Sequence, residues 1–437
     1  MTNGNSATAS VLGVLGKKLS DLADDEVLHI AALLERGGDD PQALKGRAIL
    51  RQRLTVLRPR RRLNARRLFC VPFEMLLSDE QTPSDPVRRI ARAGLLPAWQ
   101  LVAKRLPVEV LNAAEAAAAE AKGIGDDRLQ APAEALWTAA ADAIDAHFEQ
   151  IASQVGDPQW LRDIGATLRA CGPIAEIRAL LQYPGRPQPS DEVGAQVAGI
   201  LGGTQALGVE AVFATTLVAA AHFRAPGTVI GVLAANAFGV TPGPGQDALR
   251  RLCDVLGAGF ERTLAALGRE PVTDANAVVG SIAGLVDSLT LMRDFANKVK
   301  DPQMRLQVER ALFEARSTTI DRVLPQMTGA VGCNLDRAVG EMVDGGSLEA
   351  AQSVEDNMVA LARARPTAEV LGVGDEFAGS LATLLATVKA KAAEDVAGET
   401  ADARGLRMMA LARYVELLEG ADAAQACLAA WLAAEAA

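Results

Sequence analysis

Apolar residues along this chain recur mainly at helical spacing, and the polar residues between them supply starts and stops. A polar, disordered lead is expected over residues 1–8, then a helix from about Ala9. A second helix opens on Asp24, Asp25 and Glu26, acids suited to the positive end of the helix dipole, and closes at Gly37-Gly38. Asp40-Pro41 starts a third, with Asp40 as N-cap and Pro41 in the first turn. Along it Leu50, Leu54 and Leu57 fall at i, i+4 and i+7 and face a core. Pro59 ends this helix, because the residue before a proline is pushed out of helical geometry.

Asn64 then reads as an N-cap, with Leu63 and Leu68 placed for a hydrophobic staple. Pro72 breaks or restarts the helix, and Phe69, Phe73 and Leu76 share an apolar face. Further helices are expected over 85–105, 106–122 and 132–155, with starts at Pro158 and Pro173. The stretch from Tyr183 to Ser190 carries three prolines and a glycine and reads as a linker. It divides an N-terminal helical domain, 9–183, from a C-terminal one, 190–437, across a linker at 184–189.

Beyond the linker, windows 211–221 and 227–240 are strongly apolar. Both fall short of the roughly 18–20 residues needed to span a membrane, so they read as buried helices. A turn at 241–245 precedes amphipathic helices near 246–268, 274–299, 301–322, 324–344, 347–364, 367–397, 400–419 and 421–435. Their short connections favour antiparallel neighbours. The expected fold is all-α, a multi-helix bundle or irregular α-solenoid in two helical domains.

Composition sharpens this. Ala dominates, while Phe (10), Trp (4) and Tyr (2) are few, so little material remains for sheets. With 437 residues the chain exceeds a usual single core. Arg outnumbers Lys 35 to 9, a skew expected of a GC-rich bacterial genome. The five cysteines stand at least 80 residues apart with no CxxC, which suits reduced thiols and a cytoplasmic location. The first residues lack a basic and then apolar leader pattern, so no signal peptide is expected.

Charge is unevenly spread. Lys45 to Arg105 holds 15 basic and four acidic residues, a local charge of +11, leaving −21 on the rest of a chain of net charge −10. Eight arginines fall within the 17 residues from Arg51 to Arg67. Such a block either matches the acidic remainder internally or faces an anionic partner. Arg66 and Arg67 sit in a helix first turn, where the dipole disfavours cations, so an anion is expected nearby.

Other chemistries find less support. There are three histidines, His29, His147 and His222, each expected in a helix, and neither a Gly-x-Ser-x-Gly elbow nor a His-Glu-x-x-His pair occurs. Asp142, Asp145 and Glu149 share one helical face near His147, but no Glu-x-x-His partner motif accompanies them. That group reads as a solvated acidic face, and no metal or cofactor is expected. Gly13 to Lys18 resembles a phosphate loop only superficially, lacking its spacing, its hydroxyl and its preceding strand.

The reading therefore leans away from catalysis. It favours a non-catalytic helical interaction or scaffold protein that binds another macromolecule, a protein first, through Arg58, Arg60, Arg61, Arg62, Arg66 and Arg67. Sequence-tolerant nucleic-acid binding by the same arginines ranks second, given the acidic chain and scarce aromatics. An enzyme with a carboxylate-based helical site ranks third.

Overall fold

The computed structural model describes residues 24–36, 46–47, 50, 53–54, 63–79, 85–121, 126–155, 158–182, 185, 188–269, 271–344, 348–392, 394 and 400–435. Helices account for nearly all of them, so the fold is all-α. Two compact units form: Met1–Arg186 with Ser190–His222 and Pro242–Leu252, and Pro187–Pro189 with Phe223–Thr241 and Cys253–Ala437.

In the first unit, α1 (Asp24–Arg36) buries Val27, Ala31 and Leu34 at i, i+4 and i+7. Then come α2 (Ala65–Cys70), α3 (Leu95–Ala103), α4 (Val108–Glu120), α5 (Gln130–Ala146), α6 (Phe148–Val155), α7 (Pro158–Arg169), α8 (Cys171–Leu181), α9 (Asp191–Thr204) and α10 (Val209–Ala220). Helix α5 packs on α2, α4 and α7. Helix α10 is buried from Ala211 to Ala220. It tolerates Thr215 and Thr216 because their hydroxyls donate back to the carbonyls of Ala211 and Val212, at 2.8 and 2.7 Å.

Three expectations change in this unit. The stretch from 85 to 91 is not helical, and Arg92–Gly94 is a 3-10 turn that leads into α3. The Asp85 carboxylate accepts the Val87 and Arg88 N–H groups and turns the chain, and Ile90–Ala91 (β2) then pairs in parallel with Leu77–Ser78 (β1). Helix 132–155 is two helices, because His147 leaves helical geometry at φ −128° and ψ 24°. His147 and His222 accordingly lie in turns, whereas His29 is on the exposed face of α1.

The second unit holds α11 (Thr228–Ala235), the later part of α12 (Pro244–Leu267), α13 (Ala275–Lys298), α14 (Pro302–Thr318), α15 (Leu324–Asp344), α16 (Glu349–Val370), α17 (Gly374–Ala392), α18 (Ala401–Glu419) and α19 (Ala421–Glu435). Local caps start several of them. Asp274 accepts the Ala277 N–H at 3.0 Å, and Asp301 accepts those of Gln303 and Met304 at 3.2 and 3.1 Å, with Pro302 in the first turn. Glu341 instead reaches across from α15 to accept the Ala350 and Ala351 N–H groups of α16, at 2.7 and 3.1 Å. Helix α13 packs on α11, α14 and α16, and α18 on α15, α16, α17 and α19.

Where breaks were expected near 323 and 365, the chain stays helical. A π-helical turn, Thr319–Val323, joins α14 to α15. Helix α16 runs through Pro366, where packing of Leu361 and Ala368 on either side outweighs the roughly 3 kcal/mol bias against an interior proline. These two irregularities border a wholly apolar void of about 20 Å³, lined by Ile282, Thr319, Val323, Leu361, Thr367 and Phe377 among others. That is room for about one small group, with no polar wall to hold water.

Among the described residues one helix, Ala275–Lys298, is long and apolar enough to cross a membrane by length and composition, and 44% of its apolar window is buried. The window 211–221 became the buried helix α10; of the window 227–240, α11 covers Thr228–Ala235 and residues 236–240 are a turn.

Candidate functional site

Of the six candidate arginines, Arg66 and Arg67 are described; Arg58, Arg60, Arg61 and Arg62 lie outside the described residues, as do Gly13–Lys18 and the start of the third helix at Asp40-Pro41. Asn64 caps α2 as its spacing predicts, its side-chain oxygen accepting the Arg67 N–H at 2.9 Å. Pro72 tightens the chain into a 3-10 turn, Val71–Leu76, rather than a new α-helix.

Ala65, Leu68 and Phe69 point inward, which leaves Arg66 outward and exposed. Phe69 meets Phe73 edge-on at 5.2 Å and Trp99 at 5.1 Å between ring centroids. Both phenylalanines are fully buried, so they serve the core and are not stacking platforms. Trp137 on α5 locks α2 from behind by donating its Nε1–H to the Leu68 carbonyl at 2.8 Å.

Around this frame most of the described arginines are answered by carboxylates. Arg92 Nε pairs with Asp79 at 2.9 Å, and Arg178 donates to the Val71 carbonyl and to Glu74, the latter at 3.2 Å. Arg89 pairs at 2.8 Å with Asp163, whose side chain is only 4% exposed. Arg66 forms no ion pair with any described residue. Beside it, burial pushes the Cys70 thiol up to about 11 against the opposing pull of Arg92 and Arg66, so the thiol is protonated at neutral pH.

The acidic group on α5 resolves as a surface network. Arg169 of α7 bridges Asp142, at 3.3 Å, and Asp145, while the turn at His147 separates Glu149 from that face. Among the described residues no group of three or more His, Cys, Asp or Glu side chains is arranged to hold a metal ion. All five cysteines are free thiols. An open groove of about 690 Å³ lies between α8 and α9, lined by Glu176, Gln196, Gly199 and Gly203 with Pro173 and Leu180.

Trp137, Trp99 and Arg178 carry no local sequence signal for this site. Arg178 and Glu74 are 104 residues apart, so nothing local announces the pair. No family model, curated protein or solved structure matches this chain.

Proposed function

We propose that the protein is a non-catalytic helical interaction protein whose arginine-rich segment, 51–67, binds an acidic surface on another protein. The observation carrying this reading is the charge contrast: +11 between Lys45 and Arg105 on a chain of net charge −10. Its described end supports it in one respect, because Arg66 stays exposed beside arginines that have carboxylate partners. Guanidinium groups offer forked donors that match carboxylates, and an exposed set costs little desolvation before binding.

Binding to single-stranded nucleic acid is the weaker reading, since Phe69 and Phe73, the aromatic residues nearest in sequence to the segment, are enclosed. Crosslinking with mass spectrometry in native extract, comparing wild type with a variant carrying Arg60→Ala, Arg61→Ala, Arg62→Ala and Arg66→Ala, tests the proposal. The expected result is loss of crosslinked acidic proteins in the variant. Identical crosslinks from both forms would overturn it, and salt-sensitive capture of oligonucleotides by the wild type alone would transfer the segment to nucleic acid.

A further inference from the structure

The two most exposed large apolar side chains among the described residues, Leu306 (72%) and Phe313 (69%), belong to one helix, α14. Seven residues amount to two turns within about 20°, so they share a face. The opposite face, Met304, Val308, Ala311 and Ala315, is buried, and α14 packs on α13. Isolated exposed apolar residues are ordinary on a protein surface, but two aligned large ones on a short helix form a seam.

Charges of both signs flank that seam. Glu309 lies about 60° to one side of Leu306 and Arg310 about 40° to the other; beside Phe313 the signs are exchanged, with Arg316 about 60° away on the Glu309 side and Glu314 about 100° away on the Arg310 side. Within the chain Arg310 pairs with Glu314 and Arg316 with Glu376, each at 3.2 Å and on the surface. A face with two apolar groups and equal numbers of opposite charges complements itself better than a partner of one sign.

We infer that this face of α14 is a contact between two copies of the chain, with the two α14 helices parallel about a two-fold axis running along them. In that arrangement Leu306 and Phe313 each meet their counterparts. Glu309 of one copy lies level with Arg310 of the other, and Glu314 with Arg316, each pair occurring twice by symmetry. Antiparallel pairing of Leu306 with Phe313 instead sets Glu309 against Glu309 and Arg310 against Arg310, which like-charge repulsion disfavours. Two helices about 25 Å long cover less than a standard interface, so the dimer is weak, on the order of micromolar.

This surface is independent of the arginine segment. Sedimentation velocity of the full chain from about 1 to about 100 µM should show the 45.7 kDa species giving way to one of twice that mass. Phe313→Glu should raise the dissociation constant at least about tenfold without changing the circular dichroism, since the side chain is already exposed. Arg310→Glu should weaken the dimer as well, and Glu309→Arg combined with Arg310→Glu should restore it. A wild type that stays monomeric throughout, a Phe313→Glu variant that dimerises unchanged, or a double variant no stronger than Arg310→Glu would each overturn the inference.

Discussion

Replacing Gly227 with alanine probes a close helix approach in the second unit. A Cβ added there would lie 2.5 Å from the Ser288 Cα and 2.6 Å from its Cβ, where ordinary contact begins at 3.4 Å. The obstruction is therefore nearly 1 Å deep and largely main chain, so no side-chain rotation relieves it. The Gly227 backbone, at φ −62° and ψ −18°, suits alanine, which on its own would stabilise the chain by about 0.5 kcal/mol. Against that stand about 1–3 kcal/mol for overpacking and about 1 kcal/mol for stretching the 3.2 Å bond from the Gly227 N–H to Ser288 Oγ. The net expectation is a loss of about 2–3 kcal/mol. A chain of two units need not unfold in one step, so amide hydrogen exchange is the better assay. Peptides covering 227–236 and 284–292 should exchange on the order of 30- to 150-fold faster. Gly280→Ala on α13 is the control: its Cβ meets nothing within 4 Å, so it should stabilise by up to about 1 kcal/mol. Unchanged or slower exchange in Gly227→Ala would show that the close approach carries no energy and refute the reasoning.

Other outcomes follow from single contacts. Arg89→Met removes the guanidinium 2.8 Å from the buried Asp163 carboxylate and should cost about 3 kcal/mol in urea unfolding of the first unit. Trp137→Phe removes the donor to the Leu68 carbonyl and should cost about 1 kcal/mol, read as faster exchange in α2. For Glu341, burial pushes the carboxyl up, but the Ala351 N–H, Arg337 and the Ala350 N–H together hold it below its ordinary value of 4.5. A depressed carboxyl contributes stability above its unfolded value and loses it as pH falls through the folded one. Glu341→Gln should therefore lower the melting temperature at neutral pH and show a shallower decline below about pH 4.5 than wild type.

What could be read ahead of the structure was local. Asn64 was legible as a cap because the amide it accepts is three residues away, and the helices starting near 274 and 301 were legible from their spacing, although Asp274 and Asp301 were not read as their caps. The inward turn of Phe69 and Phe73 follows from helical spacing. The β1–β2 pairing was not legible, because Leu77 and Ile90 find each other only after Asp85 turns the chain. A break was expected between 364 and 367, where local rules penalise Pro366 inside a helix, and the packing that overrides them comes from distant segments. Around Arg66, the positions of cations could be listed from sequence, but their partners could not. Asp163 reaches Arg89 across 74 residues, and Glu74 reaches Arg178 across 104.

The π turn between α14 and α15 has a consequence for how this helix tolerates changes in length. Ala311, Ala315, Thr319, Val323, Met327, Val331 and Leu335 are all buried and all four residues apart. An ordinary α-helix drifts by about 40° at each such step and would carry this row around to the outside. A π turn absorbs an extra residue and so resets the phase partway along. Removing one residue from 319–323 would let the turn relax to an ordinary α-helix and leave Met327, Val331 and Leu335 facing the core, whereas the same deletion within the regular turns of α14 or α15 would rotate everything after it by about 100°. Between Pro302 and Asp344 the π turn thus does the work of a loop: it can give up one residue without a change of facing, which the regular turns on either side cannot.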